Sequence, residues 1–296
     1  MNEFTGKNQV KPAIAERVPA HAWFVGSAIF HYLGPSFAVL LFARVPLEGV
    51  VWLRIVLAAA VFAAWRRPLR AFLCANGRAQ AFIVALGAVF ALMNYSFYIA
   101  IDRLPLGTVA AIEFLGPIVL ALLGSRSARN LAAVLLAVGG VYLLADVHLA
   151  ADPEAFAWAF ANAALFTLYI VLAHRVARID PSSSPIDRLA AAMILAGVFI
   201  TPLGFRDAMP ALLNPLTLAA GAGVAISSSV IPYVFDQLAM TRLPRATYAL
   251  FVAILPATAV IIGIVVLKQL PSAIELLGVA LVVAGVAVHR SIDQPD

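Results

Sequence analysis

Glu113, Arg54 and Asn94 stand in three separate stretches of sequence that are otherwise apolar. An ionisable group held among apolar neighbours is costly, so it is expected where it binds a ligand, passes a proton or pairs with another charge. Arg54 and Glu113 each lie about eight residues into their stretch. Both stretches run in the same direction, which puts both groups roughly 10–12 Å below the same boundary at 1.5 Å per helical residue. Asn94, on a stretch running the other way, falls at a similar level. The spacing predicts that Arg54 and Glu113 pair or share a hydrogen-bond network beside a polar cavity. Polar groups in such places also serve simply to hold helices together.

Other side chains could join them. Gly87, Ala91, Asn94 and Tyr98 form one helical stripe, with Phe and Ile opposite, so Asn94 and Tyr98 should face inward. His31 is mid-stretch; it is a candidate for substrate or proton binding and equally for packing. Asn162, Tyr169 and Tyr248 are comparable candidates. A carboxylate, amides and phenols together can hold both ends of a small zwitterion. Ser227-Ser228-Ser229 followed by Pro232 should interrupt a helix, leaving free carbonyls that bind a polar ligand or merely relieve a kink. Asp236 and Gln237, close to Arg242 and Arg245, read as a gate or packing pair.

The elements that must position these groups are transmembrane helices. Hydrophobic residues make up 63% of the chain and charged residues 12%. Soluble domains hold about 45–50% apolar and about 25% charged residues, so lipid is the expected solvent. Barrel strands would alternate; these runs are long, continuous and rich in Leu and Ala. Ten spans are expected, near 22–43, 46–65, 79–101, 105–124, 129–146, 153–173, 186–204, 215–239, 245–267 and 272–289. The first is too long for a signal sequence and reads as a retained helix. Residues 174–188 read as the linker between the sixth and seventh spans. The single cysteine, Cys74, rules out an internal disulfide.

Charge sets orientation. Counted loop by loop, one side receives fifteen Lys and Arg residues and the other four, with Arg54 inside a span. Both termini should therefore be cytoplasmic, with tails at 1–21 and 290–296. The basic excess is a topology signal and a contact to anionic lipid, and needs no nucleic acid. The chain also repeats itself. Arg103-Leu104-Pro105 precedes Pro117 and Gly124 at the same spacing at which Arg242-Leu243-Pro244 precedes Pro256 and Gly263. Five spans per copy is an odd number, so the second copy must be inverted. The expected architecture is all-α and polytopic: residues 22–146 and 153–289 as two antiparallel five-helix repeats around a central cavity. Arg54, Pro117 and Pro256 then have structural or network roles.

A phosphate-binding Walker loop, a metal-ligand cluster and a nucleophile elbow are all missing from the sequence. No cofactor or metal is expected. An intramembrane enzyme would need its polar groups clustered at one interface, and these are scattered.

Met93-Asn94-Tyr95-Ser96-Phe97-Tyr98, Arg103-Leu104-Pro105-Leu106-Gly107 and Glu113-Phe114-Leu115-Gly116-Pro117 carry a resemblance, joined by Trp52-Leu53-Arg54 and the stretch from Pro232 to Pro244. Over about 22–289 the chain resembles the ten-helix EamA-type branch of the drug/metabolite transporter superfamily, and within it the threonine/homoserine and aromatic amino-acid exporters. The resemblance implies a secondary transporter in a bacterial-type inner membrane, exporting amino acids and related metabolites by alternating access, and no enzyme. Its partners would be an amino-acid-like substrate and lipid, and two fused halves could work as a monomer. Aromatic amino acids, drugs or other metabolites are the alternative cargo. The chain departs from the branch at Leu255-Pro256, where Glu-Pro is common, and at Lys268-Gln269, where Gly-Glu is common. Glu113 then remains the one acidic residue expected in mid-bilayer, and the first candidate if transport is proton-coupled.

Overall fold

The structure is a computed structural model that describes residues 19–66, 68–124, 127–148, 152–179, 184–240 and 252–288. The described residues are all-helical. In chain order the helices are α1 (Ala20–Leu41), α2 (Leu47–Trp65), a short α3 (Pro68–Cys74), α4 (Gly77–Arg103), α5 (Leu106–Glu113), α6 (Leu115–Gly124) and α7 (Ala128–His148), then α8 (Pro153–Ile179), α9 (Pro185–Leu213), α10 (Pro215–Ala225), a π-turn at Ile226–Val230, α11 (Ile231–Met240), α12 (Leu255–Leu267) and α13 (Ala273–Val288). Six segments are long and apolar enough to cross a membrane, and shorter apolar helices accompany them. The protein is a polytopic membrane protein. Outward-facing Leu40, Leu92, Leu135, Tyr142, Val198 and Ile261 are exposed, as expected where lipid rather than water is the solvent.

Prolines set the interruptions. The expected span 105–124 is two helices meeting at Phe114, because Pro117 has no N–H for the Glu113 carbonyl four residues back. At the matching place in the second copy, α12 starts at Leu255 with Pro256 in its first turn, where a missing N–H costs nothing. Pro232 likewise withholds an N–H from the Ser228 carbonyl, and the chain there widens into the π-turn.

Two boundaries differ from the sequence reading. Residues 174–179 continue α8, and the linker narrows to the stretch before Pro185. Ser184 caps α9 by accepting the Asp187 N–H at 3.1 Å. Asp187 in turn accepts Arg66 Nε at 2.7 Å, and this bond holds the Arg66 guanidinium above its ordinary pKa. The seventh span runs on past 204 to Leu213. There Asn214 turns the chain, its Oδ1 accepting the Leu216 N–H at 3.0 Å, and Pro215 opens α10.

Small residues let the helices meet. A Cβ on Gly87 would lie 2.7 Å from Leu195 Cβ in α9, and one on Gly278 of α13 would lie 2.8 Å from the Gly140 carbonyl of α7. The second Arg-Leu-Pro mark, the tails 1–18 and 289–296, Tyr248, and the Arg242 and Arg245 half of the suggested gate lie outside the described residues.

Candidate functional site

Arg54 is buried in the middle of α2. Its Nη2 donates to the Ser228 carbonyl at 3.2 Å and its Nε to Ser229 Oγ at 3.3 Å. The Ser228 carbonyl is the one that Pro232 leaves without a helical donor. Arg54 therefore fills the gap in the hydrogen-bond ladder of another helix, reaching from α2 to the π-turn. Among the described residues it forms no ion pair with Glu113, although the two remain within electrostatic reach. The expected direct pair is replaced by an arginine whose first partners are backbone and hydroxyl oxygens. The guanidinium also lies over the Tyr98 ring, 5.1 Å from its centroid, which favours a cation held out of water.

The rest of α1 locks onto the same turn. Ser27 Oγ donates to the Pro232 carbonyl at 3.1 Å. Any Cβ on Gly34 would overlap the backbone of Ser228, so only glycine permits this approach. Ser227 Oγ donates back to the Gly223 carbonyl at 2.6 Å and Ser228 Oγ to the Val224 carbonyl. The serines thus satisfy local carbonyls rather than pointing free hydroxyls inward.

Around this lock stand polar groups whose hydrogen bonds are unmade. Tyr98 is 0% exposed, and its hydroxyl, beside Arg54 and Ser228, bonds to neither. Asn162 is also 0% exposed, and neither its Nδ2 nor its Oδ1 has a partner, although it lies beside the buried Glu113 carboxyl. Each such orphan costs about 1–3 kcal/mol, and folds keep such costs chiefly where a ligand or water completes the set.

Asn94 is buried on the expected stripe, but its Nδ2 donates to the Phe90 carbonyl of its own helix at 2.7 Å. His31 is half-buried, edge-on to Tyr32 at 5.4 Å and within reach of Arg54's charge. Tyr169 packs on Phe90 at 6.0 Å. The sequence reading missed two tyrosines. Tyr32 is within electrostatic reach of Glu113, and Tyr233 of Glu113, Arg54, Asp236 and Tyr169. Tyr233 also packs on Phe90 at 6.3 Å. Their signals were present: Tyr32 follows His31, and Tyr233 follows the proline that breaks the helix.

The arrangement offers one acid, one guanidinium with donors to spare beyond the two it uses, an open amide and several phenols, drawn from α1, α2, α4, α5, α8 and α11. It can hold a small molecule that has both a cationic and an anionic end.

Over 257 residues the chain is 32% identical to the threonine/homoserine exporter RhtA of Escherichia coli (strain K12), covering 85% of this chain and 84% of that one. The protein belongs to the EamA-like transporter family. The family description matches residues 154–290. The threonine/homoserine exporter RhtA of Salmonella typhimurium (strain SL1344) is 30% identical over the same length. A solved structure titled "Crystal structure of protein" superimposes with a TM-score of 0.58 at 18% identity, covering 92% of this chain and 96% of that chain; this likeness concerns the fold. As an EamA transporter the chain moves a solute and is not an enzyme.

Proposed function

We propose that the protein exports small amino acids of the threonine/homoserine type, with related metabolites, across a bacterial inner membrane by alternating access. The observation that carries this reading is two buried, unpartnered groups, the Asn162 amide beside Glu113 and Tyr98 Oη beside Arg54. Glu113 and Asn162 suit an ammonium, and Tyr98 with the remaining N–H groups of Arg54 suits a carboxylate. His31, Asn94 and Tyr169 belong to the surrounding shell of the same site, and Tyr248 keeps its proposed role in binding substrate. Pro117 and Pro256 keep their proposed structural roles, each at the break of its span. The relatives' names favour the same substrate class.

The reading includes ten spans in two inverted five-helix repeats, 22–146 and 153–289, with both termini cytoplasmic and a monomer as the working unit. The matching positions of the Phe114 and Leu255 breaks support the repeat. The uneven distribution of Lys and Arg supports the orientation.

The test is counterflow of labelled threonine in proteoliposomes, with unlabelled amino acids as competitors, with and without a pH gradient. Competition by several small amino acids is the expected result. No uptake of any amino acid by folded protein would sink the reading. A second reading, export of aromatic amino acids or drugs, is favoured by the rings of Phe90, Tyr169 and Tyr233 packed together at the site. Under it, Phe90→Ala impairs large substrates selectively and spares threonine.

A further inference from the structure

Arg66, Arg67, Arg70 and Arg78 stand in the connection from α2 to α4, and residues 66–78 hold no acid. Arg66 is committed: it donates to both carboxylate oxygens of Asp187, at 2.7 and 3.2 Å, and lies 5.5 Å from the Trp65 ring centroid. Arg70 and Arg78 are exposed and make no hydrogen bond or ion pair among the described residues. Arg78 occupies the first turn of α4, just after the Asn76 cap, where the positive end of the helix dipole disfavours a cation. Arg175, near the end of α8, comes to the same place. Its guanidinium lies 6.0 Å from the ring centroid of Phe82, the residue one turn after Arg78. Arg175 too is exposed and makes no hydrogen bond or ion pair among the described residues. Two cations and the positive end of a helix thus converge on Phe82 without a carboxylate from the described fold.

Apolar groups stand exposed beside them. The inward face of α3 sets Phe72 on the cluster of Ile83, Val176 and Ala191 that Phe82 also joins. Gln80 Nε2 donates to the Phe72 carbonyl at 3.1 Å. With Arg66 bound to Asp187 at one end and Gln80 bound at the other, α3 is pinned against α4, α8 and α9. Its outward face presents Leu69 and Leu73, one turn apart and 64% and 71% exposed, and Trp65 just before it is 53% exposed. Arg70 lies between the two leucines in sequence. Exposed leucines and arginines on one short helix, next to an exposed tryptophan, suit a segment lying in the membrane–water interface.

We propose that α3 is an interfacial helix and that Arg78 and Arg175 bind the phosphate of an anionic phospholipid. Leu69 and Leu73 dip into the acyl layer around that lipid, and Arg70 faces its headgroup layer. Charge complementarity selects an anionic headgroup, since a zwitterionic one carries its own ammonium. The exposed leucines select a lipid over a soluble phosphate, because burying them in acyl chains is favourable. None of the central polar groups belongs to α3, so the site holds whatever solute is carried.

The experiment uses Cys74, the single cysteine of the chain, which is exposed at the end of α3. The purified full chain is labelled there with a fluorophore and reconstituted into phosphatidylcholine vesicles. A small fraction of the lipid is spin-labelled near its glycerol backbone. Spin-labelled phosphatidylglycerol should quench at about tenfold lower mole fraction than spin-labelled phosphatidylcholine. Arg78→Gln and Arg175→Gln should each reduce that preference about three- to fivefold, with the melting temperature unchanged. Arg78→Lys keeps the charge and should keep the preference. Leu69→Ser with Leu73→Ser should weaken quenching by both lipids. Soluble glycerol phosphate should leave quenching by phosphatidylglycerol as it is. If Arg78→Gln folds poorly, Arg175→Gln carries the test. Equal quenching by the two lipids, a preference untouched by the Gln variants, or a label quenched by neither lipid overturns the site. Loss of the preference on adding glycerol phosphate would assign the arginines to a soluble anion and overturn the lipid.

Discussion

α4 and the α10–α11 pair run up to the same place in the sequence repeat, the Arg-Leu-Pro marks, yet one is a continuous helix and the other is broken. In α4, Asn94 returns its side-chain amide to the Phe90 carbonyl, and the helix keeps its own ladder intact. In the second copy a proline stands at the neighbouring position. The Ser228 carbonyl then loses its donor, the helix opens into a π-turn, and Arg54 comes in from α2 to fill the place. The difference teaches where each of these two segments keeps its polarity. α4 carries it on side chains of an intact helix, while the α10–α11 break offers a backbone carbonyl, which Arg54 of α2 completes.

The strongest way to break this comparison is Arg54→Met, which strands the Ser228 carbonyl and the Ser229 hydroxyl. A loss of about 1–3 kcal/mol per orphaned group is expected, read by thermal melting in detergent, with counterflow reduced more than tenfold. Next comes Pro232→Ala in that background. Alanine returns the N–H that Ser228 lacks, so the double variant should recover about half of the lost stability. Purely additive melting temperatures across the double-mutant cycle would mean that Arg54 does not compensate for the proline. Gly34→Ala drives a methyl into the Ser228 backbone and should cost about 1–3 kcal/mol, measured the same way. Asn94→Leu on the intact helix should cost under about 1 kcal/mol, because the Phe90 carbonyl keeps its helical N–H. If Asn94→Leu instead destabilises as much as Gly34→Ala, α4 is less self-sufficient than its geometry shows.

Much of the fold could be read from the apolar runs, since spans of about 20 residues without charge have few alternatives to helix. The break at Pro232 was equally readable, because a proline's effect is confined to its own turn, whereas the break before Pro117 falls inside the expected span 105–124 and was not anticipated. Arg54 shows where such reading stops. Depth alone paired it with Glu113, and depth does not say which way a long side chain points. Its true partner lies 174 residues away; the clue was the carbonyl four residues before Pro232, which needed a donor from somewhere. Tyr98 and Asn162 were identified by type and position. That they have no partner depends on distances to neighbours from other helices, and no one-dimensional pattern encodes those.

α7 and α13 share the most extensive contact among the described helices, and at its centre the backbone of Gly140 rests on that of Gly278 with no side chain between them. Only the Leu144 and Val282 side chains flank this close backbone approach, so the two helices can turn on one another more easily than they can part. If the two repeats rock, this is the axle, and motion grows with distance from it. A covalent cross-link placed across that contact should therefore leave the transport cycle running, whereas one placed between α5 and α12 should stop it.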